Sequence, residues 1–226
     1  MLLNELALAS GVSVASIKYY RREEILPPGE RITATRADYG QRHLERLRLV
    51  GVLRDVAGAS IADIVALVRV LDDPDRPLVD ALEIAQALAS GLPAASHDDP
   101  VPSDEDPLVG EVIVELGWPD VPSGPRAALD RLLRGMREAH LPARRDVVLR
   151  YARLLGELAR GDLEAMTRDV DRAAGEPPSD DVVVTRAVTG MVSYERLARI
   201  LRALGHASLS LAGSVGAGGD SVTMRA

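Results

Sequence analysis

Only Gly11, Val12 and Ser13 separate two short stretches of helical periodicity, and this spacing constrains the chain more than any other feature. In residues 4–10, Leu6 and Ala7 fall inward, and Gly11 supplies the left-handed residue that commonly ends a helix. Ser13 is placed to cap a second helix over residues 14–23, in which Ile17 and Tyr20 share one face at i and i+3. Two short helices joined by so tight a turn form a helix-turn-helix. Pro27 and Pro28 stop the second helix, and residues 29–38, with Ile32 among Arg and Thr, suit a small hairpin or extended loop.

The remaining periodicity is helical. A third helix is expected over residues 39–56, with Leu44, Leu47, Val50, Gly51 and Leu53 inward. Ser60 and Asp63 have capping-box spacing, and the fourth helix they open carries Ile61, Ile64, Val65, Val68 and Leu71. A fifth, over residues 78–90, presents Leu78, Leu82, Ile84, Ala85 and Leu88. Residues 91–106 are rich in Pro and acid and read as a linker. Beyond it, helices are expected over 108–116, 125–139, 143–160 (ended by Gly161), 162–174 and 180–204 (ended by Gly205). Val182 to Thr185 is β-branched and fits a strand as the alternative, whereas Met191, Tyr194, Leu197, Ile200, Leu201 and Leu204 repeat with helical period. The Gly/Ser-rich residues 213–226 read as a flexible tail.

Charge is unevenly placed. The net charge is −7, yet residues 1–58 hold nine Lys/Arg against seven Asp/Glu, and the rest eighteen against twenty-seven. The one lysine, Lys18, two adjacent tyrosines and several arginines sit in the stretch SIKYYRREEILPPGER, residues 16–31. The chain has no cysteine, which excludes disulfides, thiolate metal sites and cysteine nucleophiles. Its histidines form no close i, i+4 ligand pair, so no metal or other cofactor is expected. No Ser/His/Asp spacing, paired-carboxylate motif or phosphate loop stands out, and the GAGG near the end lacks a strand-to-helix context. The expectation is a protein that is not an enzyme. No apolar run reaches the roughly 18–20 residues of a membrane span, and the first residues lack a secretory pattern, so the expected location is cytoplasmic.

Residues LNELALASGVSVASIKYYRREEILPPGER, followed by ADYGQRHLERLRLVGVLRDVAGASIADIVALV, resemble the DNA-binding domain of the MerR family of bacterial transcription regulators. Ser16, Ile17, Lys18, Tyr19, Tyr20, Ile25, Leu26 and Pro27 match the family pattern in order, as do residues 43–47 and 60–64 further on. The resemblance covers about the first 72 residues. It implies an all-α fold with a small β wing: a winged helix-turn-helix domain over 1–76, a short dimerisation or linking helix over 77–90, the linker 91–106, and a helical effector-binding or dimerisation bundle over 107–212. It further implies double-stranded DNA, a homodimer partner and RNA polymerase at the promoter.

A recognition helix reads bases with exposed residues near its N-terminus while cations and hydroxyls grip phosphate. On that basis the expected DNA-binding residues are Ser13, Val14, Ala15, Ser16, Lys18, Tyr19 and Arg22, with Arg31, Thr33, Thr35, Arg36, Tyr39 and Arg42 from the wing and beyond. Tyr20 reads as core, and for Arg21, Arg22, Arg46 and Arg48 a solvated cation is the competing reading. Two departures from the family pattern stand out. Glu24 occupies the place where the family usually has a helix-ending glycine, at a cost of about 1–2 kcal/mol if left-handed. In the wing, Arg36, Ala37, Asp38 and Tyr39 replace the usual Tyr-Arg-x-Tyr run. The resemblance implies effector sensing by the C-terminal part, and without cysteine the expected effector is an organic small molecule. Trp118, Tyr151, Met191 and Tyr194 are the candidate effector-binding residues, with core packing as the competing reading. The alternative function is a ligand-sequestering or partner-binding protein whose DNA binding is secondary.

Overall fold

A computed structural model describes residues 1–33, 36–92, 101–171 and 177–217 of the chain. Helix α1 (Leu3–Ser10) ends at Gly11, whose φ of 70° is left-handed, and α2 (Val14–Arg22) starts at Ser13, whose hydroxyl accepts from the Ser16 amide at 3.0 Å. Each device satisfies backbone groups that a helix end leaves unpaired.

Helix α2 ends in the conformation a glycine usually takes. Glu24 has a φ of 59°; its amide donates to the Arg21 carbonyl at 3.3 Å, and the Ile25 amide to that of Tyr20 at 2.9 Å. This is a Schellman closure with glutamate at the left-handed position. It turns the chain so that Ile25 and Leu26 enter the core.

Strands β1 (Glu30–Arg31) and β2 (Ala37–Asp38) then pair antiparallel, with Glu30 opposite Asp38 and Arg31 opposite Ala37. Gly29 makes the approach possible, since a Cβ there would lie 2.6 Å from the Asp38 carbonyl oxygen. Helices α3 (Gln41–Asp55), α4 (Ile61–Leu71) and α5 (Leu78–Ser90) follow. The Ser60–Asp63 capping box is formed: the Asp63 amide donates to the Ser60 hydroxyl at 3.2 Å, and the Ser60 amide to the Asp63 carboxylate at 3.0 Å. Leu6, Ile17, Ile25, Leu47, Leu53 and Ile64 form the middle of one core.

Helices α6 (Pro107–Leu116), α7 (Gly124–Glu138) and α8 (Arg145–Asp171) make a second, smaller core around Leu108, Val109 and Leu133. Charged side chains reinforce it: Arg126 pairs with Glu105 at 2.7 Å, Arg134 with Asp130 at 2.8 Å and Arg137 with Asp106 at 2.9 Å. Helix α8 passes straight through Gly161, where two helices were expected, because an interior glycine costs only about 1 kcal/mol relative to alanine. Residues 172–174 of the expected 162–174 helix lie outside the described residues.

Helix α9 (Asp180–Ala217) likewise continues through Gly205, so residues 213–217 of the expected flexible tail are helical; 218–226 lie outside the described residues. Val182 to Thr185 are helical rather than extended. The expected division groups α9 with α6–α8, yet its first half packs on α3 and α5. Val184, Val188 and Val192 belong to the same core as Leu6 and Ile17.

Arg46, read from the sequence as a solvated cation, is 1% exposed and joins α9 to this core. Its Nε donates to Asp181 at 2.6 Å, its two terminal nitrogens to Asp72 at 3.0 and 2.8 Å, and one of them also to the Ile25 carbonyl at 3.1 Å. Burial alone would lower the Arg46 pKa, but the hydrogen bonds it donates to Asp72 and Asp181 carry it above its ordinary value. Burial also pushes Asp181 up, against the pull of Arg46. Asp72, which burial would raise, is brought below the usual carboxylate range by Arg46 and then Arg42. Among the described residues, no helix is long and apolar enough to cross a membrane.

Candidate nucleic-acid interface

The first two turns of α2 are set by what lies beneath them. Ile17 and Tyr20 are buried, and the Tyr20 phenol accepts from Arg54 at 2.6 Å, which fixes the helix by its inner face. The opposite face carries Ala15 and Lys18, both exposed, with Val14, Ser16 and Tyr19 half-buried at its edge. Ser13 and Ser16 share a hydrogen bond between their hydroxyls at 2.8 Å. Arg22 lies over the Tyr19 ring at 5.0 Å and pairs with Glu23 at 3.2 Å, an arrangement that holds both side chains beside the helix end.

The wing stands next to this face. Between α1, α2 and the hairpin runs a groove of about 570 Å³ whose lining includes Asn4, Lys18, Arg21, Arg31, Thr33 and Arg36. No carboxylate appears in its lining among the described residues. Lys18, Arg31 and Arg36 are exposed, and none of them forms an ion pair among the described residues. Such a concentration of unneutralised cations, in a chain with a net charge of −7, favours a polyanion along this side. The wing's Asp38 does not weaken it greatly, because the Met1 ammonium bonds that carboxylate and lowers its pKa.

Two expected contact residues are held by partners within the protein, and Tyr39 also lines the groove. Tyr39 is 2% exposed, its phenol accepts from Arg21 at 2.9 Å and its ring meets His43 edge-on at 5.1 Å. It is a core residue that braces Arg21, where the sequence reading had a surface contact. Arg42 is exposed but paired with Asp72 at 3.0 Å, next to Arg46. Thr33 accepts from the Arg36 amide at 3.1 Å and so shapes the wing tip, while Thr35 lies outside the described residues. Arg21 was missed as part of this surface, although its i+3 spacing from Lys18 puts the two on adjoining turns.

The four aromatic and sulfur side chains expected to bind an effector lie on or against α8 and α9. Trp118 lies against Gly156, where an added Cβ would come within 3.2 Å of its ring. The Arg202 guanidinium sits 5.6 Å from the centre of the Tyr151 ring. Tyr194 is exposed and Met191 half-buried on α9. Among the described residues, no group of three or more His, Asp or Glu is arranged to hold a metal.

A tight helix-turn-helix followed by a two-stranded wing, with cations gathered on the open side, defines a winged helix-turn-helix DNA-binding protein. Residues 1–71 match the model of the MerR HTH family regulatory proteins. Residues 1–71 thus carry a helix-turn-helix domain of the MerR type, the kind with which transcription regulators bind DNA. Among solved structures, that of the proposed transcriptional regulator SCO5550 from Streptomyces coelicolor A3(2) is similar over 100% of both chains, at 27% identity and a TM-score of 0.60. No curated protein matches the chain.

Proposed function

We propose that the protein binds palindromic promoter DNA as a homodimer in the cytoplasm, where RNA polymerase is its neighbour at the promoter, and that its C-terminal helical part responds to an organic small molecule. The carboxylate-free groove that joins Lys18 and Arg21 of α2 to Arg31 and Arg36 of the wing supports the DNA reading most directly. With the recognition helix in the major groove, Lys18 reaches base edges near its middle, while Arg31 and Arg36 meet phosphate alongside. One copy offers few contacts; two copies related by a two-fold axis double them on a palindrome.

Sequencing the DNA retained by the purified protein tests this reading. The expected result is one enriched inverted repeat. If Arg21, Arg31 and Arg36 of each protomer meet phosphate, log affinity falls against log salt with a slope of about −5, from about 0.9 per contact. Lys18→Ala is expected to remove the sequence preference. Enrichment that survives both Lys18→Ala and Tyr19→Ala would show that α2 is not the reading element. Screening organic compounds for a change in the retained DNA tests the effector part: weaker or tighter retention under one of them supports it, and unchanged retention under all of them counts against it.

A further inference from the structure

We infer that Arg46 is a positioning residue for DNA binding: from inside the core it sets the angle between the recognition helix α2 and the wing. The inference rests on the DNA reading above and adds to it a residue that, at 1% exposure, touches no DNA itself.

Only residues 23–29 connect α2 to β1. Pro27 and Pro28 have no amide hydrogen, so this link is short of the donors with which a turn closes on itself, and its carbonyls need donors from elsewhere. Helix α3 supplies two of them from side chains three residues apart. A terminal nitrogen of Arg46 donates to the Ile25 carbonyl at 3.1 Å. His43 Nδ1 accepts from the Gly40 amide at 3.1 Å, which leaves the ring proton on Nε2, 3.4 Å from the Pro28 carbonyl. The two bonds bracket the prolines, Arg46 at the α2 end of the link and His43 at the wing end.

Of the two, the Arg46 bond has the greater hold. Pro28 is exposed and the bond to it is long, whereas Ile25 is fully buried. The Ile25 amide also closes α2 on the Tyr20 carbonyl at 2.9 Å, and the backbone turns there from the left-handed Glu24 toward the wing. A buried carbonyl without a donor is driven toward water, and rotation of the link is what takes it there. The same rotation swings Gly29 and β1 relative to α2, against which the groove offers the Arg21–Tyr39 bond at 2.9 Å.

Arg46 serves as a fixed donor because it is itself held. Asp181, at the start of α9, takes its Nε at 2.6 Å, and Asp72, at the end of α4, takes both terminal nitrogens at 3.0 and 2.8 Å. The planar guanidinium keeps these bonds and the one to Ile25 in a single fork, which a lysine could not reproduce.

The test compares two variants of similar stability that differ in this donor. Asp181→Leu leaves Arg46 on Asp72 and on the Ile25 carbonyl, whereas Arg46→Met/Asp181→Leu strands no charge but removes the donor. The DNA probe is the inverted-repeat duplex that the wild-type protein enriches. Asp181→Leu is expected to bind it within about twofold of wild type. If the unheld link keeps the binding pose about a tenth of the time, the double variant binds about tenfold more weakly per protomer. Its salt slope should match that of wild type, because no phosphate contact is lost. A second measurement needs no DNA. The chain has no cysteine, so spin labels at Ala15→Cys on α2 and Ile32→Cys on the wing, both exposed, report a single distance. That distance is expected to stay narrow in the Asp181→Leu background and to broaden or shift in the double variant. Equal affinities of the two variants, or a double variant whose label distance matches wild type, overturn the role of Arg46. A wild type without preferred DNA overturns the reading on which it rests, and the label distance then still decides whether Arg46 sets the angle.

Discussion

Replacing Arg46 by methionine takes away the cation that three elements share, and the geometry sets the size of the effect. Asp181, 5% exposed, loses the guanidinium 2.6 Å away, and the Ile25 carbonyl loses its donor at 3.1 Å. Asp72 is better placed, because it is partly exposed and retains Arg42 at 3.0 Å. A buried charge stripped of its partner costs about 3–5 kcal/mol. Asp181→Leu alone should cost less, about 1.5–3 kcal/mol, since Arg46 keeps Asp72 and the carbonyl and loses a single charge-assisted bond. In the double variant Arg46→Met/Asp181→Leu no charge is stranded, and the orphaned carbonyl leaves a deficit of about 1–3 kcal/mol. The double variant is therefore expected to be more stable than Arg46→Met. Urea unfolding followed by circular dichroism gives the three free energies, and hydrogen exchange at the Val184 and Val188 amides shows whether α9 is the part that loosens. Additive penalties, or a cost below about 1 kcal/mol for Arg46→Met, would refute the account of Arg46 as a shared buried cation.

Three other outcomes are expected. Glu24→Gly should stabilise the protein by about 0.5–1 kcal/mol in urea unfolding, because relief of the left-handed glutamate exceeds the added chain entropy of glycine. Gly29→Ala should weaken DNA binding about tenfold in a gel-shift titration, as its Cβ meets the Asp38 carbonyl at 2.6 Å and pushes the wing aside. Asp72 has a folded pKa below its ordinary value, so its contribution is present above about pH 4 and is lost as pH falls further. The stability gap between wild type and Asp72→Asn should accordingly narrow as unfolding is measured from pH 6 down to pH 3.

The local signals in the sequence were the reliable ones. Gly11, Ser13, Ser60 with Asp63, and Pro27 act within four residues of themselves, and the turns and helix starts they mark are where the structure has them. Glu24 was recognisable as a misfit to the family pattern, and its left-handed backbone explains why glycine is usual there. Gly161 and Gly205 misled because a glycine stops a helix only when the chain then turns away, which tertiary packing decides. Arg46 and Tyr39 looked like surface residues because arginine and tyrosine usually have a polar end in water; here the Arg46 guanidinium meets Asp181 and Asp72, and the Tyr39 phenol meets Arg21 at the groove wall. The partner of Arg46 lies 135 residues away in sequence, beyond the reach of any periodicity. The groove was half legible: Lys18, Arg31 and Arg36 were expected from the resemblance, whereas Arg21 depends on the Tyr39 phenol that holds it there.

The first half of α9 gives the DNA-binding body a discontinuous chain. Val184, Val188 and Val192 fill a space that the first 92 residues leave open, so a fragment cut at the linker would expose Ala81, Ala85 and the Arg46 guanidinium together. In sequence, the described residues 101–171 form a loop between two parts of one folding unit. The cost of closing such a loop grows only slowly with its length. Any exchange of the helices it carries must therefore keep Asp181 and the three valines of α9, which complete the core beneath the helix-turn-helix.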